Sequence, residues 1–415
     1  MHSVSAYGVD RQKLEDRLLA LSGERSFFSL LTSRGVVAKE GAYDLVFGWG
    51  AKRVFSADEL MNNAHQGQMV FGALSYELRH KFERYSDGNR SILDWPQTLF
   101  FVPEVYGFLD FNGQLELFAD TEDHAETVLS SLQEERKVFT GPTALEFHSV
   151  ETKEEYVDAV QKLQAHIQRG DIYEVNYCTA FEATYEELDR EALFQKMVKA
   201  TEAPFSAFFK ASEYELLCTS PERNIRKLGS RLISQPIKGT NARTNDNDRQ
   251  RSALLESEKE RAENVMIVDL VRNDLSRVAA KGSVHVSELF GVYSFKNVNQ
   301  LISTVEAEIK PTVSLWSVLE ATFPMGSMTG APKVSAVELA ERYEKTAREI
   351  YSGSVGYILP NGDFDFNVVI RSIAINTEKK CAAVHVGGAI TILSDAQLEY
   401  EECLLKAQSL LQSAN

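Results

Sequence analysis

Lys238 lies in Gln235-Pro236-Ile237-Lys238-Gly239-Thr240, a short apolar strand end that runs into a glycine turn. Proline fixes the approach of the chain and glycine lets it reverse. A lysine at such a corner can point into a cleft and act as a nucleophile if its amine is neutral. Most turn lysines are simply solvated. Two further segments carry paired carboxylates. Glu260 and Glu263 stand three apart ahead of the apolar run Val265-Met266-Ile267-Val268, and Glu399 and Glu402 stand three apart in the last predicted helix. Each pair therefore shares a helix face. If the two faces meet, four carboxylates converge, which like-charge repulsion forbids unless a cation sits between them. Oxygen ligands of this kind favour Mg²⁺. Two solvated acidic faces are the alternative.

Three other elements have chemical potential. The loop Phe323-Pro324-Met325-Gly326-Ser327-Met328-Thr329-Gly330-Ala331-Pro332-Lys333 is rich in glycine and hydroxyls. It either offers amides and a hydroxyl to an anion or merely starts a helix. Gly387-Gly388-Ala389 would let backbone amides approach a ligand closely, or would mark a bulge. Arg371 sits in the apolar strand Val369-Ile370-Arg371-Ser372. Once buried, it needs an anionic partner, from the protein or from a substrate.

The elements that must position these groups are helices and short strands. Up to about residue 145 the chain reads as strands with aromatic and glycine punctuation, such as Tyr43–Trp49 and Met69–Tyr76, and residues 140–143 read as a connector. Tyr156, Val160, Leu163 and Ile167 fall on one helical face that Gly170 ends. From Ile172 to Phe181 the pattern alternates, with Tyr173, Val175, Tyr177 and Phe181 on one face and Glu174 and Asn176 on the other. Asn361-Gly362 marks a hairpin between Ile358 and Phe364. The expected class is α+β, with antiparallel sheets flanked by helices rather than a regular βαβ array.

Bulk properties narrow the function. With 415 residues and 44% hydrophobic content, the chain can build a large core or two lobes. A formal net charge of −16 disfavours nucleic-acid partners, because a binder needs a basic face. No apolar run approaches membrane-spanning length, and Met1 to Leu31 does not read as a secretory signal. Four scattered cysteines without a CxxC pair fit free thiols in a reducing cytoplasm.

Several motifs, in order, carry a resemblance. They are Gly170-Asp171-Ile172-Tyr173-Glu174-Val175-Asn176, Ser220-Pro221-Glu222-Arg223, Pro236-Ile237-Lys238-Gly239-Thr240, Glu260-Arg261-Ala262-Glu263-Asn264 and Val268-Asp269-Leu270-Val271-Arg272-Asn273-Asp274. Gly330-Ala331-Pro332-Lys333, Gly353-Ser354-Val355-Gly356-Tyr357 and the Glu399–Glu402 segment complete the set. Together they resemble the chorismate-utilising enzymes from about Lys153 onward. The first third matches more loosely, at Gly72–Glu77 and Lys81–Glu83. The resemblance implies two antiparallel sheets packed as a sandwich with helices outside, a looser lobe at 1–145 intertwined with the rest, and a chorismate-binding catalytic domain at 146–415. Lysine at position 238, where anthranilate synthases carry alanine, resembles the aminodeoxychorismate synthase component I family.

That family implies amination of chorismate at C4 on the way to p-aminobenzoate and folate. It implies Mg²⁺ held by Glu260, Glu263, Glu399 and Glu402, with Glu263 and Glu402 as the surest direct ligands. Neutral Lys238, its pKa depressed, would attack ring carbon C2, and Glu222 would protonate the departing C4 hydroxyl. Ammonia would then expel Lys238. Carboxylate contacts would map onto Arg371, Thr329, Lys333, Tyr351 and the amides of Gly387, Gly388 and Ala389, with Thr240 beside the nucleophile. A separate glutamine amidotransferase subunit would supply ammonia, since no cysteine here sits in a nucleophile-elbow setting.

Glu174, Gln300 and, mildly, Gly387-Gly388-Ala389, which stands for Gly-Ala-Gly, depart from the pattern. Glu174 stands where ammonia-using members resemble one another in carrying glutamine, and Gln300 replaces a common histidine. Anthranilate synthase component I, isochorismate synthase and a catalytically silent chorismate-binding or scaffold paralogue are the competing readings. Lys238 opposes the first, Glu174 the second, and retention of Lys238, Glu222 and the four glutamates the third.

Overall fold

Short apolar or alternating stretches bounded by turn residues fold as strands, and they pair into sheets because each has one face to bury. The computed structural model describes residues 1–36, 40–83, 85, 88–133 and 141–413. Among these, the strands form two antiparallel sheets of 12 and 10 strands. The larger runs from His2–Ala6 through Leu115–Ala119, Val105–Leu109, Leu45–Trp49, Phe27–Thr32, Phe205–Ala211, Tyr214–Ser220, Ser372–Asn376 and Cys381–Ile390 to Glu174–Thr184 and Gly330–Ala331. The smaller runs from Ile237–Ala242 through Val298–Glu308, Arg231–Gln235, Arg223–Leu228, Phe364–Asn367, Ser354–Ile358, Val70–Leu74 and Thr98–Val102 to Arg53–Phe55. In both sheets the strands from before residue 145 form a block at one end and pair directly with a strand from after it.

The sheets face each other across a buried layer to which both contribute, including Val46, Phe71, Phe101, Phe209, Leu216, Val355 and Ala374. Helices cover the outer faces. Tyr156 and Leu163 of helix Lys153–Arg169 and Phe194 of helix Arg190–Thr201 pack on Tyr177 and Val384 of the larger sheet. Ile267 and Val271 of helix Glu258–Ser276 pack with Ile225, Leu232 and Val305 of the smaller. The sandwich with outer helices is therefore the fold that the sequence led one to expect.

Local expectations fare unevenly. Helix Lys153–Arg169 starts on a Thr152–Glu155 capping box and ends on Gly170 in the left-handed region (φ 84°). Ser354–Ile358 and Phe364–Asn367 pair as the hairpin. The strand expected from Ile172 begins instead at Glu174. Val175, Tyr177 and Phe181 do share its core face, but Tyr173 precedes the strand and is 70% exposed. Its amide bonds to the Ala331 carbonyl, so the 330–331 segment rather than the core fixes that position. Of the connector at 140–143, residue Thr140 lies outside the described residues. All four cysteines are free thiols. Among the described residues, no helix is long and apolar enough to cross a membrane.

Candidate active site

The strand Ile237–Ala242 pairs with Val298–Glu308, matching Ile237 to Ile302 but Thr240 to Gln300. One extra residue is thus accommodated at Lys238-Gly239, a bulge that re-aims the lysine. Gly239 permits it with φ 98°, and a Cβ there would come 2.9 Å from Glu260 Oε2. Helix Glu258–Ser276 holds the turn: Asn264 Nδ2 donates to the Lys238 carbonyl at 3.4 Å, and Ser303 Oγ donates to Asn264 Oδ1 at 2.6 Å. The side chain of Lys238 is 13% exposed, and its Nζ donates to Glu174 Oε1 at 3.1 Å.

Glu174 opens the long strand of the larger sheet, so this ion pair joins the two sheets. Its second oxygen, Oε2, is buried without a hydrogen-bond partner among the described residues. Gly330 passes so close that a Cβ there would lie 2.2 Å from the Glu174 carbonyl oxygen. The expected depression of the Lys238 pKa is overturned in the free site. Burial does push it down, but the negative charges of Glu174, Glu263 and Glu222 outweigh burial and raise it above the ordinary lysine value.

Glu222 follows strand Tyr214–Ser220 and is 5% exposed. Its amide donates to Ser220 Oγ at 3.2 Å and its carbonyl accepts from Val368 N at 3.0 Å, which fixes the backbone. Burial pushes its carboxyl up to about 7, with a hydrogen bond from Ser327 and the charge of Lys238 restraining the rise. A group poised there can give up a proton near neutrality. Arg371 adopts φ 51°, and its carbonyl accepts from both Thr219 N and Thr219 Oγ1 at 3.0 Å. Its partly buried guanidinium makes no ion pair or hydrogen bond among the described residues. Burial lowers its pKa, and the charge of Glu222 opposes that.

The four paired glutamates lie on two helices, and Glu263 and Glu402 feel the charge of Lys238. Glu263 is raised by burial, and Lys238 pulls it back while Glu174 and Glu260 add to the rise. On helix Ala396–Ser413, Glu399 is raised by burial and by Glu402. Burial also works against ionisation of Glu402, but Lys406, Lys259 and Lys238 outweigh it and its pKa falls. Lys259 acts on Glu263, Glu399 and Glu402, so the two helix faces do look toward each other. Among the described residues, no three such side chains are gathered closely enough to hold an ion. Like charges draw apart when nothing neutralises them. The donor set itself, carboxylate oxygens with two protonation-prone members, fits a hard divalent cation.

The remaining expected residues divide. Gly387, Gly388 and Ala389 pair with Cys178, Tyr177 and Asn176, and a Cβ on Gly388 would come 3.3 Å from Glu399 Oε2. Lys406 Nζ reaches both Glu402 Oε1 at 2.8 Å and the Gly387 carbonyl at 2.9 Å. This segment therefore borders the paired glutamates. Thr329 is buried, donates its hydroxyl to the Met325 and Gly326 carbonyls, and accepts Asn176 N on its own carbonyl at 2.6 Å. Thr240 is exposed, and its partner Gln300 is buried with Oε1 unpartnered among the described residues. Lys333 bonds to Asp274 beside a cavity of about 350 Å³ that Phe82, Leu270, Arg277 and Phe323 also line. Tyr351 stacks on His385, with ring centroids 5.5 Å apart.

Sequence reasoning missed the device that holds this loop in place. Arg348 is fully buried, pairs with Glu344 at 2.6 Å, and donates to the carbonyls of Met328 and Asn176 at 2.7 Å each. Glu344 also accepts Cys178 N at 3.0 Å. The pair thereby locks the 326–328 turn to the strand that bears Glu174. The i,i+4 spacing of Glu344 and Arg348 was the available signal, but an ordinary surface pair reads the same way. Ser327, which bonds to Glu222, was visible only as one hydroxyl in a loop.

Residues 48–412 match the family model for the chorismate binding enzyme. The chain belongs to the chorismate-binding enzyme family. Its relatives include aminodeoxychorismate synthase component 1 of Salmonella typhimurium, 36% identical over 82% of this chain and 76% of that one. The Bacillus subtilis protein of the same name is 31% identical over 81% and 75%. The probable chloroplastic aminodeoxychorismate synthase of Oryza sativa is 40% identical over 62% of this chain, which spans only 29% of that longer protein. In fold the chain is similar to anthranilate synthase component I from Streptococcus pneumoniae, with a TM-score of 0.80, 23% identity and coverage of 91% and 93%. It is also similar to the menaquinone-specific isochorismate synthase of Escherichia coli, with a TM-score of 0.77, 17% identity and coverage of 99% and 94%. The chain is thus a chorismate-utilising enzyme, as its motifs suggested.

Proposed function

We propose that the protein is an aminodeoxychorismate synthase component 1, which aminates chorismate at C4 with ammonia. The observation that carries this reading is the buried pair of Lys238 and Glu222, a nucleophile and an acid with a pKa near 7 acting on each other's charge. The names of the relatives, chiefly component 1, support it and imply a second component. That component would be a glutamine amidotransferase that delivers ammonia.

Lys238 supplies the nitrogen that bonds to ring carbon C2. Glu222 supplies the proton that lets the C4 hydroxyl leave as water. Ammonia then bonds to C4 as the C2–nitrogen bond breaks and frees the lysine. Glu260, Glu263, Glu399 and Glu402 would hold the cation. Mg²⁺ bound there would neutralise them and bind the ring carboxylate as a Lewis acid. Arg371, with an unpartnered guanidinium beside Glu222, would take a carboxylate of the substrate. The Arg348–Glu344 pair and the Gly330 contact keep the site walls fixed, so that these groups are oriented before substrate arrives.

The test is incubation of the protein with chorismate, Mg²⁺ and ammonium at mildly alkaline pH, with and without an aminodeoxychorismate lyase. Lyase-dependent p-aminobenzoate is the expected result. Lyase-independent fluorescent anthranilate would mean that pyruvate is eliminated here and that the assignment is wrong.

A further inference from the structure

Lys333 and Asp274 each carry a charge that opposes their own helix. Lys333 is the first residue of helix Lys333–Tyr343, which receives no side-chain cap from Pro332. Asp274 lies in the last turn of helix Glu258–Ser276. A cation at a helix start and an anion at a helix end both run against the helix dipole. The side chains are nevertheless only 17% and 6% exposed, and Lys333 Nζ donates to Asp274 Oδ2. Burial works against the Asp274 charge, which Lys333 and Arg277 relieve. Each charge is therefore accommodated by the other, and the pair links two helices rather than serving either one. The resemblance maps Lys333 onto a substrate carboxylate, but its ammonium is engaged on Asp274, at the wall of the cavity of about 350 Å³.

Both ends of this link lead to the reacting groups. Asn264, which bonds to the Lys238 carbonyl, lies about 15 Å from Asp274 along the same helix. The loop before Lys333 carries Ser327, which bonds to Glu222, and Gly330, which packs on the Glu174 carbonyl. That loop lies against the helix, since a Cβ on Gly326 would come 3.0 Å from Leu270 Cδ2. Arg348 ties the loop to the strand of Glu174. Lys333 ties it to the helix that holds the Lys238 turn. We infer that Lys333 and Asp274 are positioning residues, a buried clamp that sets how the loop bearing Ser327 sits on that helix, and thereby sets Glu222 against Lys238. The inference rests on the reading of these two groups as acid and nucleophile. Lys238 and Arg371 also act on Glu222, but neither belongs to the loop. Ser327 restrains the rise of the Glu222 pKa, so a loosened loop lets it rise further.

The experiment compares the parent with Lys333→Met, which keeps the side-chain stem and strands Asp274, with Lys333→Arg, and with Lys333→Met/Asp274→Leu, which replaces the pair by an apolar contact. Lyase-coupled turnover at saturating ammonium and Mg²⁺ is read beside amide hydrogen exchange of residues 236–242 and 326–331. In Lys333→Met, kcat should fall about tenfold while the KM for chorismate stays within about twofold. The acid limb of kcat/KM should move above its parent position near pH 7, and exchange should rise in both segments. Lys333→Arg and the double variant should each recover most of the loss. Should Lys333→Met fail to fold, Asp274→Asn, which keeps the shape and removes the charge, takes its place. A rise of about tenfold in the chorismate KM at unchanged kcat would make Lys333 a substrate contact and overturn the clamp, with the acid and nucleophile still standing. An unmoved acid limb, or exchange that rises in 326–331 but not in 236–242, would reduce the pair to a local stability contact and overturn it as well. If the parent makes no lyase-dependent p-aminobenzoate, the proposed activity falls, and exchange alone then decides the clamp.

Discussion

Glu222→Gln should stabilise the protein while disabling it. The carboxyl of Glu222 rises from an ordinary 4.5 to about 7 because burial penalises its charge more than Ser327 and Lys238 relieve it. Above pH 7 the folded protein therefore carries a buried charge that the unfolded chain would solvate. The sign follows from proton binding. The folded state holds this proton more tightly, so its stabilising effect is complete below about pH 4.5 and is lost as pH rises to about 7. A shift of this size corresponds to about 3 kcal/mol at ~1.4 kcal/mol per pH unit. For 415 residues unfolding together, at ~2 cal/mol/K per residue, that is about 4 °C in melting temperature. Glutamine keeps the shape and removes the ionisation. Melting curves of both proteins from pH 4.5 to 8.5 should coincide at the acid end and separate in favour of Glu222→Gln up to about pH 7, then run parallel. A variant that is less stable at pH 8 than at pH 5, relative to the parent, would refute the reasoning.

Lys238→Ala should lower lyase-coupled p-aminobenzoate formation by roughly a thousandfold or more, since the loss of a covalent nucleophile removes the step itself. Retention of the parent rate would exclude the covalent route. Glu263→Gln should raise the Mg²⁺ concentration for half-maximal chorismate consumption by on the order of tenfold or more, by removing one ligand charge; an unchanged Mg²⁺ midpoint would take Glu263 out of the metal set. Arg348→Met should cost about 3–5 kcal/mol in urea unfolding, because it strands Glu344 without its cation in a fully buried setting. A loss below about 1 kcal/mol would mean that the pair is not what fixes the 326–328 turn.

How far the sequence could be read depended on whether a signal was local. Helix Lys153–Arg169 was legible because its apolar spacing and Gly170 lie within one segment, where the structure adds a capping box. The sandwich was legible through the resemblance, since the alternation of strands alone does not say that Val70–Leu74 would pair with Ser354–Ile358, almost three hundred positions away. Lys238 could be singled out from its glycine turn, but the bulge that aims it depends on a partner strand some sixty residues later. The Lys238 pKa was misjudged for the same reason. Burial and the carboxylates of the site were foreseen, but sequence cannot weigh them, and the charges of Glu174, Glu263 and Glu222 outweigh burial. Glu344 and Arg348 look like a solvated helix pair in sequence, and only packing shows that their charges are sealed inside.

The two central groups also fix an unusual pH dependence. The reaction needs Lys238 neutral and Glu222 protonated, yet Lys238 titrates above the ordinary lysine value and Glu222 at about 7. Between these values the site carries one proton, mostly on the lysine. The productive form is its minor isomer, with that proton moved to Glu222, and its share of the singly protonated site is constant. Below about pH 7 both groups are protonated and the lysine is blocked. Above the lysine value both are deprotonated and no acid remains. The acid limb of kcat/KM for chorismate therefore belongs to Glu222 and should break near pH 7. From there it should run flat through alkaline pH, measured at saturating ammonium. A lysine acting without this acid would instead give a rate that climbs about tenfold per pH unit across the same range. A steady climb from pH 7 to 9 would therefore refute the pairing of Lys238 with Glu222, even if both single variants were inactive.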